Sequence, residues 1–148
     1  REAVATADDR AVARAWRDLA LAAVQLGVGR AARDWLVGHL ARRPPAGHGD
    51  PLGTLPRYQV GLGELESALI GAEELVTGLA ARVDAGEGAA LDRTGPARLL
   101  AGRAVAEAVQ RTVLLVGAPG LSRRHPLERY LRDALSGCGG GPAEELVL

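Results

Sequence analysis

The feature that most constrains the fold of this chain is a seam of apolar residues between positions 62 and 83. Its members follow one another at steps of three and four residues: Leu62, Leu65, Leu69, Ala72, Val76, Leu79 and Val83. This spacing places them on one side of an α-helix and is typical of helices that pack at shallow angles in bundles. The seam therefore predicts a helix over about 55–85 whose partners are other helices.

Three further segments have helical patterns, so we predict an antiparallel up-and-down four-helix bundle. The first segment covers about 7–42 and carries a stripe that consists of Val12, Trp16, Leu19, Ala23 and Leu26. The third covers about 95–116 and the fourth about 124–135. No segment alternates apolar and polar residues as a half-buried strand does, so the predicted fold class is all-α.

Glycines in this pattern predict both close packing and flexibility. Gly27 and Gly29 interrupt the first helix at about 1 kcal/mol each relative to alanine. We expect both at a close helix–helix crossing, where a missing side chain lets two backbones approach. The glycine-rich tail 136–148 is expected to be flexible.

Composition and length bound the function. The chain has 148 residues, enough for a single domain, and its 18 basic and 18 acidic residues cancel, so nothing favours nucleic acid or an anionic membrane as a partner. No apolar run is long enough to span a bilayer. The single cysteine, Cys138, cannot form an intrachain disulfide and favours a cytoplasmic location. The absence of methionine, even at position 1, suggests a domain of a longer polypeptide.

The charged side chains of the predicted helices indicate solvent-facing surfaces. The second helix carries several glutamates but no histidine, so it lacks the Glu-x-x-His motif of metal sites in helix bundles. Arg98, Arg103 and Arg111 share the third helix with Glu107, which predicts a mixed solvent face. No cluster of cysteine and histidine suits a metal ion, and Cys138 has no paired histidine.

The second informative stretch runs from Gly117 to Ala134 and predicts a turn followed by a helix. Gly117 and Gly120 permit backbone angles or close approaches that a Cβ would prevent. Pro126 suits the first position of a helix, and the next residues place one apolar face on it: Leu127, Leu131 and Ala134. His125, just before Pro126, is expected to be a cap or a hydrogen-bonded surface residue.

This stretch resembles the C-terminal signature of the acyl-CoA dehydrogenase superfamily, which reads roughly G-G-x-G, six residues, then P-x-E-R-x-x-R-D-A. Ala118 replaces the second glycine, and eight positions match in register: Gly117, Gly120, Pro126, Glu128, Arg129, Arg132, Asp133 and Ala134. The resemblance implies the C-terminal helical domain of an FAD-dependent oxidoreductase that acts on acyl-CoA. Such a domain supplies part of the flavin site, here Gly117 and Gly120, and the core of a homotetramer.

The resemblance implies a third flavin contact at Arg43. The superfamily tends to carry R-x-x-F-G after its first long helix, and its arginine reaches the flavin's pyrophosphate, often across a subunit boundary. Arg43 and Gly47 match this spacing, whereas Ala46 replaces the phenylalanine. A guanidinium suits a diphosphate because its forked donors meet two oxygens. The residues alone are equally consistent with an Arg43 that is solvated at the C-terminus of a helix and has no ligand.

The resemblance also indicates where a catalytic base would lie, and neither position holds an acid. In the commonest branch the glutamate is eight residues beyond Asp133, at Gly141 here. In another branch it is ten residues before Gly27, at Arg17 here. Monooxygenase-like relatives often carry a histidine where this chain has Gly140. We therefore assign no catalytic residue.

Several interpretations of the function remain open at this point. Leu114 stands where many relatives have a glutamine before the glycine turn, and Glu144 and Glu145 are out of register for the base. The parent protein is a divergent dehydrogenase, a flavin-dependent monooxygenase-type relative or an inactive homologue. The rival interpretation is a cofactor-free helical interaction module, in which Arg43 and the glycine turn are purely structural.

Overall fold

The computed structural model describes residues 7–42 and 50–139, and the side chains of 8–42 and 50–137. These residues form four long helices, one short helix and two 3-10 turns. In chain order they are α1 (Ala7–Arg42), a 3-10 turn (Leu52–Thr54), α2 (Pro56–Asp84), the short α3 (Gly88–Leu91), α4 (Thr94–Val116), a 3-10 turn (Ala118–Leu121) and α5 (Leu127–Gly139). The described residues contain no strand, which confirms the predicted all-α class.

The long helices alternate in direction, as predicted for an up-and-down bundle. Two elements are antiparallel when a later residue of one contacts an earlier residue of the other, and this holds for three pairs of elements. The contacts are Arg30–Glu73 and Arg33–Glu66 between α1 and α2, Arg111–Glu64 and Leu115–Gly61 between α4 and α2, and Trp35–His125 and Gln25–Gly137 between α1 and the last part of the chain. None of the helices in the described ranges is long and apolar enough to cross a membrane.

The bundle is flattened, because α1 and α4 form a central pair and α2 and α5 lie on opposite sides of it. Small buried residues bring the central helices together: Ala15, Ala22 and Gly29 on α1, and Ala97, Ala101 and Ala108 on α4. Short side chains let two backbones approach closely, so alanine and glycine form much of this interface. The flanking helices α2 and α5 have almost no contact with each other.

The predicted close crossing is confirmed at Gly29 and wrong at Gly27. A Cβ on Gly29 would lie 2.7 Å from Cδ2 of Leu69 on α2 and 3.3 Å from Cγ2 of Val105 on α4. A Cβ on Gly27 would meet nothing within 4 Å, and Gly27 is exposed. The two glycines lie two residues apart and therefore face different sides of α1.

The seam on α2 is confirmed as its core face, whereas the predicted stripe on α1 is shifted. All seam residues from Leu65 to Val83 are buried and Leu62 is half-buried. On α1, Val12, Trp16 and Ala23 are exposed, and the buried hydrophobic residues are Ala15, Leu19, Ala22, Leu26, Ala32, Leu36 and Leu40. The stripe places the larger side chains at 12 and 16 in the core, but α4 packs so closely that alanines occupy the interface.

Arg98 corrects the predicted solvent face of α4. It is buried and pairs with Asp18 on α1, with 3.3 Å between Nε and Oδ1. Arg103 is exposed and Arg111 is half-buried, and Arg111 forms ion pairs with Glu64 and Glu107. A charged residue in the core of a bundle follows no apolar spacing, so periodicity alone could not identify it.

The bounds of α5 differ from the predicted 124–135. The helix begins only at Leu127 because the preceding residues form a turn: the N–H of His125 donates to the carbonyl of Ser122 at 3.0 Å, and the N–H of Arg124 lies 3.3 Å from the Ser122 hydroxyl. The helix ends at Gly139, so residues 136–139, predicted as flexible tail, are helical. A Cβ on Gly137 would overlap the Gln25 amide, so glycine lets this last turn pack on α1.

Candidate cofactor site at the glycine corner

The residues that join α4 to α5, 117–126, form the segment that we call the glycine corner. Its first residue, Gly117, has φ 77° and ψ −158°, a conformation that is essentially restricted to glycine. Its N–H donates to the carbonyl of Val113 at 2.8 Å and closes α4. Gly117 is exposed, and a Cβ there would meet only Cδ of Pro119, at 4.0 Å. The backbone at Gly117 is therefore open to a ligand.

Gly120 has a different role in the corner, because it is buried. A Cβ at this position would lie 3.2 Å from Cδ2 of Leu127 and 3.4 Å from the side chain of Val116. Its N–H donates to the carbonyl of Gly117 at 2.8 Å. Gly120 thus lets the end of α4 and the start of α5 pack closely together, and the space beside it is taken by the protein's own side chains.

Two arginines of the corner, Arg123 and Arg124, are exposed and follow Gly120 closely in the chain. α5 begins three residues after Arg124, at Leu127, and the N-terminal end of its helix dipole is positive. The two guanidinium groups and this end of the helix are therefore both positive. Such a combination suits an anionic group. Sequence reasoning did not assign these arginines a role, because two consecutive arginines in a turn have no spacing that distinguishes a binding pair from a solvated one.

An aromatic cluster joins the corner to α1. The rings of Trp35 and His39 stack with centroids 4.8 Å apart and planes at 23°. The ring of His125 lies 5.4 Å from that of Trp35 and 6.0 Å from that of His39. His125 is half-buried, so the residue expected as a cap or at the surface also packs its ring against α1.

Of the remaining positions singled out in the sequence, the structure describes only some. Arg43 lies outside the described residues, as do Gly140 and Gly141, and the side chain of Cys138 is not described. Arg17 is exposed on α1. Its neighbour Asp18 is turned to the core, where Arg98 holds it, so its carboxylate is not available as a base.

Several other charged groups of the described part of the chain pair with one another. No three residues among its histidines, cysteines, aspartates and glutamates lie close enough to hold a metal ion. Glu73 of α2 bonds to Arg30 of α1, and this hydrogen bond and charge raise the pKa of Arg30 above its ordinary value. Glu66 pairs with Arg33 at 3.2 Å. These glutamates face solvent, as predicted, but they also tie the helices together.

Comparison with known proteins gives a consistent result. Residues 19–139 match the family model described as "Acyl-CoA dehydrogenase, C-terminal domain". The acyl-CoA dehydrogenase-like protein YdbM of Bacillus subtilis (strain 168) is 30% identical over 132 residues, which cover 88% of this chain and 35% of that protein.

Solved structures have the same fold. Butyryl-CoA dehydrogenase from Megasphaera elsdenii matches with a TM-score of 0.80 and 22% identity, over 88% of this chain and 33% of that one. The dibenzothiophene monooxygenase TdsC from Paenibacillus sp. A11-2 matches with a TM-score of 0.78 and 22% identity, over 93% of this chain and 38% of that one. The chain thus spans about a third of the length of these relatives.

Proposed function

The chain belongs to the acyl-CoA dehydrogenase family and corresponds to the C-terminal domain of that family. From this membership we propose that the parent protein is an FAD-dependent oxidoreductase. The observation that carries the proposal is the family match over residues 19–139. In this proposal the helical domain supplies one wall of the flavin site and part of an oligomer interface. The single cysteine favours a cytoplasmic protein.

The glycine corner is the part of the domain that we assign to the flavin. The exposed backbone at Gly117 lets a flat group approach without meeting a side chain. Arg123 and Arg124 supply guanidinium groups for the diphosphate, which such groups bind through two parallel hydrogen bonds. Gly120 contributes through the shape of the corner, since its own surface is buried. Arg43, whose motif spacing matches the family, is a further proposed contact.

The reaction that we propose is the dehydrogenation of an acyl-CoA. Bound FAD would supply the acceptor for a hydride from the substrate, while a base removes the neighbouring proton. Neither usual base position holds an acid in this chain, since these positions are Arg17 and Gly141. The base must therefore come from another residue, and a flavin monooxygenase-type reaction, which the fold shared with TdsC keeps open, is the second candidate.

The face of α2 that points away from the bundle supports a proposed homo-oligomer, which the resemblance to the family implies is a tetramer. Val60 and Ile70 on this face are 62% and 52% exposed. Gly63 and Gly71 lie on the same face with nothing within 4 Å of an ideal Cβ, although an exposed helical glycine costs about 1 kcal/mol relative to alanine. A second helix could approach closely here. Light scattering on the parent protein tests this: Ile70→Glu should dissociate the oligomer, and Val37→Glu on α1 should not.

The absorption spectrum of the purified parent protein tests the proposed cofactor. A flavin band, with FAD released on denaturation, is the expected result, and a colourless protein that takes up no FAD would instead favour the cofactor-free interaction module. Anaerobic addition of acyl-CoA substrates of several chain lengths then separates the two reactions. Bleaching of the flavin supports the dehydrogenase, and an unchanged spectrum with every substrate contradicts it.

A further inference from the structure

The aromatic cluster of Trp35, His39 and His125 connects two parts of the chain that are distant in sequence. Trp35 and His39 lie four residues apart on α1 and therefore share one face of the helix. His125 belongs to the glycine corner. Its ring is tilted by 54° to that of Trp35 and meets the ring of His39 edge to face, at 76°. Such tilted and edge-to-face arrangements are favourable for aromatic pairs.

Aromatic rings are scarce in this chain, which makes their location informative. The sequence contains two tryptophans, two tyrosines, no phenylalanine and three histidines. Trp35 lies towards the C-terminal end of α1, and Tyr58 and Tyr130 lie in the first turns of α2 and α5. Because the helices alternate in direction, all three lie at the end of the bundle that carries the glycine corner. Most of the rings in the described part of the chain thus lie at the end of the bundle that carries the glycine corner.

The corner's own backbone hydrogen bonds do not fix it against α1. They join residues three apart: Gly120 to Gly117, Ser122 to Pro119 and His125 to Ser122. Gly120 packs on Val116 and Leu127, which are residues of α4 and α5. The rings of the cluster supply contacts between the corner and α1, the long helix that runs through the centre of the bundle.

We propose that Trp35, His39 and His125 are positioning residues for the cofactor. The cluster fixes the glycine corner against α1 and so sets where Gly117 presents its exposed backbone to the flavin. This inference rests on the proposed function, because it takes the corner as the place where FAD binds. None of the three residues is assigned a contact with the cofactor itself.

The test compares His125→Ala with His125→Phe in the full parent protein. Loss of the ring should weaken FAD binding between about twofold and a hundredfold, the effect of losing one or two aromatic pairs. It should also speed hydrogen exchange at the Gly120 and Ser122 amides. Phenylalanine keeps the ring contact, so this variant should restore both. Reconstitution of the apoprotein with FAD gives the affinity, and exchange measured without FAD reports on the corner alone.

Tryptophan variants provide a matched control, because the chain has one tryptophan in the cluster and one outside it. Trp35→Leu should weaken FAD binding as His125→Ala does. Trp16→Leu, at an exposed site nearer the other end of α1, should leave the affinity unchanged. If Trp35→Leu does not fold, Trp35→Phe supplies the same comparison with a smaller expected loss.

The outcomes separate the inference from the proposed function. The inference is overturned if the wild-type parent carries FAD and His125→Ala binds it with unchanged affinity, whether or not amide exchange in the corner becomes faster. A wild-type parent without flavin overturns the proposed function, and the inference with it. Weaker binding in His125→Ala with recovery in His125→Phe supports both.

Discussion

Asp18 and Arg98 form an ion pair across the crossing of α1 and α4, with 3.3 Å between Oδ1 and Nε. Neither side chain is more than 10% exposed. The Nε group of Arg98 has no hydrogen-bond partner in favourable geometry, so the attraction between the two charges dominates this contact. Removing two charges from water has a large desolvation penalty, which their attraction only partly offsets.

We therefore expect single and double substitutions of this pair to differ sharply. Asp18→Ala leaves Arg98 buried without a counter-charge, and it should lower the free energy of unfolding by about 3–5 kcal/mol. The double variant Asp18→Leu/Arg98→Met should lie within about 1–2 kcal/mol of the wild type, because two apolar side chains remove the penalty. Urea unfolding followed by circular dichroism measures both.

An exposed ion pair serves as the control for this cycle. Glu73→Gln removes the partner of Arg30, but both side chains are more than 40% exposed. Pairs of this kind contribute about 0–1 kcal/mol, so the loss should be small. A similar loss for Asp18→Ala and Glu73→Gln would mean that the buried pair has no special role.

Gly27 and Gly29 provide a matched pair on α1. Gly27→Ala should raise the free energy of unfolding by about 0.5–1 kcal/mol, because alanine is the better helix former and meets open space. Gly29→Ala places a methyl group against Leu69 and Val105, and overpacking costs about 1–3 kcal/mol, more than the gain in helix propensity. Thermal and urea unfolding of the chain should give opposite signs. Equal signs would contradict the close crossing at Gly29.

Gly117 and Gly86 form a second matched pair, because both have φ 77°. An alanine in such a conformation costs of order 1–3 kcal/mol, so both Gly117→Ala and Gly86→Ala should destabilise the fold. Only Gly117→Ala should also weaken FAD binding to the parent protein, since Gly86 lies after α2, away from the glycine corner. Loss of affinity in both variants would indicate a general effect of instability.

We expect the two exposed arginines of the glycine corner to contribute to FAD binding. Replacing Arg123 and Arg124 together by glutamine should weaken FAD binding to the parent protein by about tenfold or more, since a hydrogen bond to a charged group contributes about 1.5–3 kcal/mol. The effect should diminish at high salt. The control replaces Arg10 and Arg14, exposed at the start of α1. An equal loss in this control would point to net charge in place of a local contact.

The fold could be predicted from the sequence where large apolar side chains mark the core. The leucines and valines of the seam on α2 follow one spacing, and the structure buries all of them from Leu65 to Val83. The prediction failed on α1, where Val12 and Trp16 are exposed while Ala15 and Ala22 are buried. Alanine is common on every side of α1, so hydrophobicity alone could not identify the face that meets α4.

At the candidate site, too, the sequence predicts features that depend on local geometry and misses contacts between residues far apart in the chain. Gly117 and Gly120 could be singled out because glycine is required by local geometry. Sequence could not show that Gly117 is exposed and has a positive φ angle, whereas Gly120 is buried against Leu127. The contact of His125 with Trp35 joins residues from opposite ends of the chain, and no spacing along the sequence encodes it.

The central place of α4 has a consequence for the order in which this protein can acquire its structure. Its main contacts are with α1, yet α2 and α3 lie between the two in the chain. A ribosome releases α1 and α2 first, and the pair they form lacks the helix that covers most of the buried face of α1. Their leucines stay accessible to chaperones until the residues after 94 emerge, since non-local pairing has to wait for the distant partner.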